Sequence, residues 1–152
     1  MGGTPGYPDP VNEHPIVIDP HDPLVERVRA VCLAYPEAVE KRSFGRPTFR
    51  AGKKVFVWMS SSMDRAYSIV IKPDALERFA HLEDPRFFVP PYWGKLGWLA
   101  IDFDRPDTDW VELAELIDTS YRQVALQRQL RALDAQPPRR GVRFTRRARA
   151  RS

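Results

Sequence analysis

Phe44-Gly45-Arg46-Pro47-Thr48-Phe49-Arg50-Ala51-Gly52-Lys53-Lys54-Val55-Phe56-Val57-Trp58 is the stretch that decides the fold. Two runs of strand-forming residues, 47–51 and 54–60, flank Ala51-Gly52-Lys53, where glycine supplies the positive φ that a tight hairpin turn needs. With Lys41 and Arg42 just upstream, six basic residues alternate with four aromatic rings, and no carboxylate interrupts them. Such a pattern either grips a phosphate backbone or forms a strand whose charges face water and whose rings fill the core. Alternation sets Arg50 opposite Phe49, which favours charge outward and ring inward.

Working outward, a third strand at 66–72 places Tyr67, Ile69 and Ile71 on one face. Upstream, Asp22 as N-cap and Pro23 in the first turn open a helix over about 23–35. Its stripe is Leu24, Val28, Val31, Cys32 and Tyr35, and Pro36 closes it. Downstream, Pro73 opens a short helix to about Leu82 with Leu76, Phe79 and Ala80 facing inward. A loop rich in rings (Phe87, Phe88, Tyr92, Trp93) then leads to a fourth strand at 97–103. Asp109 and Glu112 cap a closing helix that runs to about Leu133, with Trp110, Leu113, Ile117, Tyr121 and Val124 inward. The order α-β-β-β-α-β-α predicts an α+β fold: an antiparallel sheet of about four strands with helices packed on one face.

These residues resemble the signature of the MmcQ/YjbR-like family. The likeness is carried by Phe44-Gly45-Arg46-Pro47-Thr48-Phe49-Arg50, Gly52-Lys53-Lys54-Val55-Phe56, Ile71-Lys72-Pro73, Gly97-Trp98 and Ser120-Tyr121, and it spans roughly 24–130. The resemblance implies a one-domain CyaY-like fold of the kind found in small bacterial proteins. It also implies DNA binding through a double-wing motif, whose wings would be the hairpin around Gly52 and the loop around Tyr92 and Trp93. It supplies no catalytic residue.

Outside that span the composition changes. Six prolines among residues 5–23 mark 1–21 as a flexible arm, the domain itself occupies 22–135, and 136–152 reads as a disordered arginine-rich tail. The tail holds Arg139, Arg140, Arg143, Arg146, Arg147, Arg149 and Arg151 and no acid. Of 24 basic residues these seven carry the net charge of +4, leaving 17 against 20 acidic ones. The domain is thus mildly acidic, and the tail is either a nucleic-acid arm or a solubilising extension. A lone cysteine, Cys32, and no apolar run long enough for a signal peptide or a membrane span point to the cytoplasm and to no membrane partner.

Candidate phosphate contacts are Arg42, Arg46, Arg50, Lys53, Lys54 and Lys95, with the tail arginines. Tyr92 and Trp93 are candidates for stacking on bases, for a protein groove, or for packing over the sheet. No helix rich in Arg, Asn and Gln offers to read a major groove, so any DNA binding is expected to be weakly specific. The alternative is a protein-interaction adaptor using loop 87–93. Enzyme readings lack support. His14, His21 and His81 have no ligand spacing with Cys32, Ser60–Ser62 lack a nucleophile context, and Asp102, Asp104, Asp107 and Asp109 read as turn and cap residues. The expectation is a non-enzymatic protein with no metal and no cofactor.

Overall fold

The computed structural model describes residues 15–137. A six-stranded antiparallel sheet lies under helices, with β1 (Ala38–Ser43), β2 (Arg46–Ala51), β3 (Lys54–Met59), β4 (Ser68–Ile71), β5 (Phe87–Phe88) and β6 (Leu99–Asp102) in the spatial order β1-β2-β3-β4-β6-β5. The helices are α1 (Pro23–Leu33), α2 (Arg78–Leu82), α3 (Trp110–Val124) and α4 (Gln127–Asp134), and a 3₁₀ turn covers Trp93–Leu96. No helix among the described residues is long and apolar enough to cross a membrane.

The sheet therefore has six strands where about four were expected. The two extra ones are edges. β1 carries a single large apolar residue, Val39, among Glu40, Lys41 and Arg42, so it lacks the apolar alternation that announces a strand; charged edges of this kind resist unwanted pairing. It is recruited by the Phe44-Gly45 turn, where both residues have positive φ (52° and 83°), the geometry of the tight hairpin turns that match strand twist. A Cβ on Gly45 would sit 1.9 Å from the Pro15 carbonyl oxygen. The chain entering from residue 15 crosses this turn, and the Val17 N–H bonds the Gly45 carbonyl at 2.9 Å. Of the arm drawn over 1–21, residues 1–14 lie outside the described residues, and Ile18 is buried in the main core. Most of the tail, 138–152, lies outside them as well.

Two further expectations are corrected. The short helix starts at Arg78 instead of Pro73, and it buries none of its residues. Leu76 and Phe79 stand 89% and 73% exposed, and Ala80 is exposed too. The helix is too short to present a full apolar stripe, and β5 rather than α2 fills the space beside β6, with Phe87 buried. The closing helix is two helices. Ala125 and Leu126 adopt extended ψ angles of 154° and 161°, and α4 follows with Gln129 and Leu133 buried. Gln129 holds the break: its amide oxygen accepts from the Leu126 N–H at 2.8 Å and its amide nitrogen donates to Glu37 at 2.8 Å.

A bulge in β3 decides which rings face where. Phe49 pairs with Val57 and Arg50 with Val55, so Phe56 has no partner across the ladder. The extra residue turns both Phe56 and Val57 toward the helices, while Val55 and Trp58 go to the other face. On the helix side, Tyr35, Phe56 and Tyr121 form a ring cluster with centroids 4.7–5.9 Å apart, surrounded by Val25, Val28, Cys32, Ile69, Ile71, Leu99 and Ile117. Each fully buried side chain of this size contributes about 1.5–3 kcal/mol.

Candidate nucleic-acid interface

Among the described residues no α-helix packs over the opposite face of the sheet. Val70, Ala100 and Trp98 are buried there, with Val55, Trp58, Phe88 and Trp93 packed against them. The cover is the 3₁₀ turn, whose Trp93 ring wedges between Trp58 (centroids 5.3 Å) and Trp98 (4.7 Å). Beside this stack lies a hollow of about 500 Å³ lined by Phe44, Arg46, Trp58, Ser61, Pro91, Tyr92 and Trp93. The expected roles of Tyr92 and Trp93 therefore separate. Trp93 packs over the sheet, whereas Tyr92 is 71% exposed at the rim.

Tyr92 is held there by a strained backbone. Its φ and ψ are 65° and −61°, and the Trp93 N–H reaches back to the Pro91 carbonyl at 2.6 Å, closing a three-residue γ-turn of the rare positive-φ kind. An aromatic residue in that region costs roughly 1–3 kcal/mol and persists only where the surroundings enforce it.

Strand register sorts the basic residues. Lys41 lies opposite Thr48, Thr48 opposite Trp58, and Arg50 opposite Val55, so Lys41, Arg46 and Arg50 share the open face with the tryptophans. The Arg46 guanidinium stacks over Trp58, 5.3 Å from the ring centroid. Burial lowers its pKa below the ordinary arginine value. Among the described residues Arg50 reaches the Lys53 carbonyl and the Ser43 hydroxyl, each at 3.4 Å. Neither arginine pairs with a carboxylate among the described residues, and the Nε of each is buried without a hydrogen-bond partner. Arg65, at the far end of this face, differs: it stacks on Phe88 at 3.8 Å and pairs with Asp102 at 2.9 Å.

The other expected contacts do not join this group. Arg42 alternates to the helix-covered face with Glu40, and Lys54 lies opposite Ala51, a core-side residue. Lys53 sits in the Gly52 turn, and Lys95 is exposed on the 3₁₀ turn. Arg139, Arg140, Arg143, Arg146 and Arg147 lie outside the described residues. Phe44, Trp58, Ser61 and Pro91 complete the hollow. Of these, Trp58 read as core because plain alternation from Phe56 misses the bulge.

A second, smaller hollow of about 250 Å³ lies at the start of α3, between Arg65, Arg86, Asp102, Asp109 and Glu112. Its charges are spent on one another. Arg86 binds Asp84 at 2.7 Å and Glu112 at 2.8 Å, which raises its pKa above the ordinary arginine value, and Asp109 caps α3 by accepting from the Val111 and Glu112 N–H groups. The serines after β3 serve the loop: Ser60 donates to the Ala66 carbonyl and Ser68 to the Arg65 carbonyl, both at 2.6 Å.

The residues that carry the family likeness are explained by the fold. The Ser120 hydroxyl donates to the Phe56 carbonyl at 2.6 Å and accepts from the Lys72 N–H at 2.9 Å, tying the bulge to the end of β4. The Tyr121 hydroxyl donates to the Pro36 carbonyl at 2.7 Å, and Thr48 donates to the Lys41 carbonyl at 2.6 Å.

Comparison with known proteins agrees with this architecture. The YjbR family model matches residues 33–123, more than half of the chain. A crystal structure of a Deinococcus radiodurans protein with the family-model domain DUF419 is similar at a TM-score of 0.60 and 17% identity, covering 79% of this chain and 94% of that one, a likeness of fold alone. No curated protein matches. With its sheet order, its signature residues and the extent of the family match in agreement, the chain belongs to the YjbR family.

Proposed function

We propose that this protein binds DNA through the open face of its sheet, with weak sequence specificity and without catalysing a reaction. The observation that carries the reading is the pair Arg46 and Arg50, two guanidiniums on one sheet face beside exposed rings with no carboxylate partner among the described residues. A half-buried arginine gives up hydration, and a protein that only needed solubility would leave its cations in water. A phosphate oxygen is the planar fork's natural partner. Lys41 adds exposed positive charge on the same face, and the arginines beyond residue 138 add a further electrostatic contribution. Phosphate contacts fix position without reading sequence, which accounts for the weak specificity.

Fluorescence anisotropy with labelled single- and double-stranded DNA tests this at about physiological salt, for the full chain and for a 1–138 truncation. Binding by both, with a steeper salt dependence in the full chain, is the expected result. Absence of binding in both forms refutes it.

One observation favours a second reading, a protein-interaction adaptor built on loop 87–93. Val89 is 55% exposed and Tyr92 71%, and Leu76, Phe79 and Leu96 also stand in solvent. That reading gains if DNA binding fails and a Val89→Ser, Tyr92→Ser variant loses a protein partner that the parent chain retains.

A further inference from the structure

We propose that the hollow beneath Tyr92 takes an unstacked base, so that the protein's preferred ligand is single-stranded DNA. This deepens the DNA-binding reading above and rests on it.

The shape and chemistry of the hollow argue for a flat aromatic guest. Its volume of about 500 Å³ falls in the range of small-molecule sites, and its lining is dominated by the rings of Phe44, Trp58, Tyr92 and Trp93 together with Pro91. Ser61 supplies a hydroxyl, but that group lies 3.1 Å from the Ser68 hydroxyl in a local network. Beyond the Tyr92 phenol and Arg46, the lining offers π-faces rather than a set of donors and acceptors matched to one base. Such a site accepts any base by stacking, in keeping with weak specificity.

The charges around the hollow argue for a strand rather than an apolar guest. Arg46 lines the hollow with its guanidinium carbon over the Trp58 ring, 5.3 Å from the centroid, and has no carboxylate partner among the described residues to compete with a phosphate. Arg50 follows four residues later on the same strand face, about 13 Å along β2, so the two arginines meet different phosphates of one chain. A duplex keeps its bases stacked and paired, and extruding one costs a few kcal/mol, whereas a single strand delivers a base without that penalty.

The strained turn argues that the ring is placed for use. Tyr92 carries positive φ, is mostly exposed, and makes a single edge-on ring contact, with Trp93 at 5.6 Å. Most of the phenol therefore stands in solvent, where a base can stack against it.

The experiment compares a labelled oligothymidylate of about 15 nucleotides with a duplex of the same length, by anisotropy at about 150 mM salt. It uses the full chain, Tyr92→Gly and Tyr92→Phe. Glycine suits the backbone angle, so Tyr92→Gly keeps the fold, and phenylalanine keeps the ring. The single strand should bind at least about ten-fold tighter than the duplex. Tyr92→Gly should weaken the single strand by about ten-fold and leave the duplex unchanged, and Tyr92→Phe should match the parent. Thymidine monophosphate, which offers one base and one phosphate, should not compete at concentrations that saturate the strand. Equal binding of strand and duplex, or a Tyr92→Gly variant that binds the strand like the parent, overturns the base site and leaves the basic face standing. Competition by the mononucleotide as strong as by the strand also overturns it, in favour of a nucleotide pocket. Loss of all DNA binding removes both readings together.

Discussion

The two faces of the sheet are built to different standards. On the helix-covered face buried polar groups are answered: the Tyr35 hydroxyl donates to Asp118, Asp118 binds Arg122 at 2.9 Å, and Ser120 serves the carbonyl of Phe56 and the N–H of Lys72 at once. On the open face Arg46 and Arg50 each leave a buried Nε unanswered, a ring sits on a strained turn, and the surface is indented. Unsatisfied groups cost stability wherever they occur. Their concentration on one side separates a face that serves the fold from the face on which the proposed DNA binding rests.

The largest expected effect tests the covered face. Ser120→Ala leaves both the Phe56 carbonyl and the Lys72 N–H without their partner and should cost roughly 2–4 kcal/mol, read by urea unfolding. DNA affinity of the folded fraction should not change; if it falls with stability, the division between faces is wrong. Arg46→Met tests the other side. It keeps the packing on Trp58 while removing the charge, so DNA affinity should drop about ten-fold and the salt slope should shrink by about one. Stability should hold within about 0.5 kcal/mol or rise, since a desolvated cation has been removed. A marked loss of stability would make Arg46 structural.

Tyr92→Gly should raise stability by about 1 kcal/mol in thermal melts by relieving the positive φ, the reverse of what deleting a packed ring does. The smallest effect concerns acid. Asp22 caps α1 and accepts from the Tyr67 hydroxyl and the Leu24 N–H, which hold its carboxyl below the ordinary carboxylate range. Arg128 and Gln129 do the same for Glu37, and Arg86 for Asp84. Carboxyls depressed by folding stabilise the protein above their unfolded pKa, and that contribution fades as pH falls through the folded values. Unfolding midpoints should therefore decline below about pH 4, and Tyr67→Phe should flatten that decline. A flat profile in the parent would show these exposed pairs to be energetically idle.

Much of the fold was legible because its signals are local. Gly52 has the positive φ its turn needs (68°), Asp22 and Asp109 cap helices as their positions suggest, and Ile69 and Ile71 face the core as a period of two requires. What escaped depends on contacts distant in sequence. β1 is a strand because β2 pairs with it, and the α3–α4 break has neither proline nor glycine to announce it, being held by Gln129 reaching Glu37. The site was half legible for the same reason. Arg46, Arg50 and Tyr92 stood out by type, but their meeting around a hollow follows from register and from the fold of loop 83–95, and Arg42 and Lys54 fell away on alternation alone.

The bulge at Phe56 has a consequence for how this domain can vary. Between the Ala51 and Thr48 pairings β3 holds one residue more than β2 needs. Deleting the unpaired residue, Phe56, would restore plain alternation with Val55 and Trp58 still on the open face and Val57 under the helices, but would remove the ring that packs on Tyr35 and Tyr121. Strand length here is thus a heritable instruction in its own right. Lineages of this domain are free to exchange side chains along β3, but losing the bulge would take one ring out of the covered core while leaving the wall of the hollow in place.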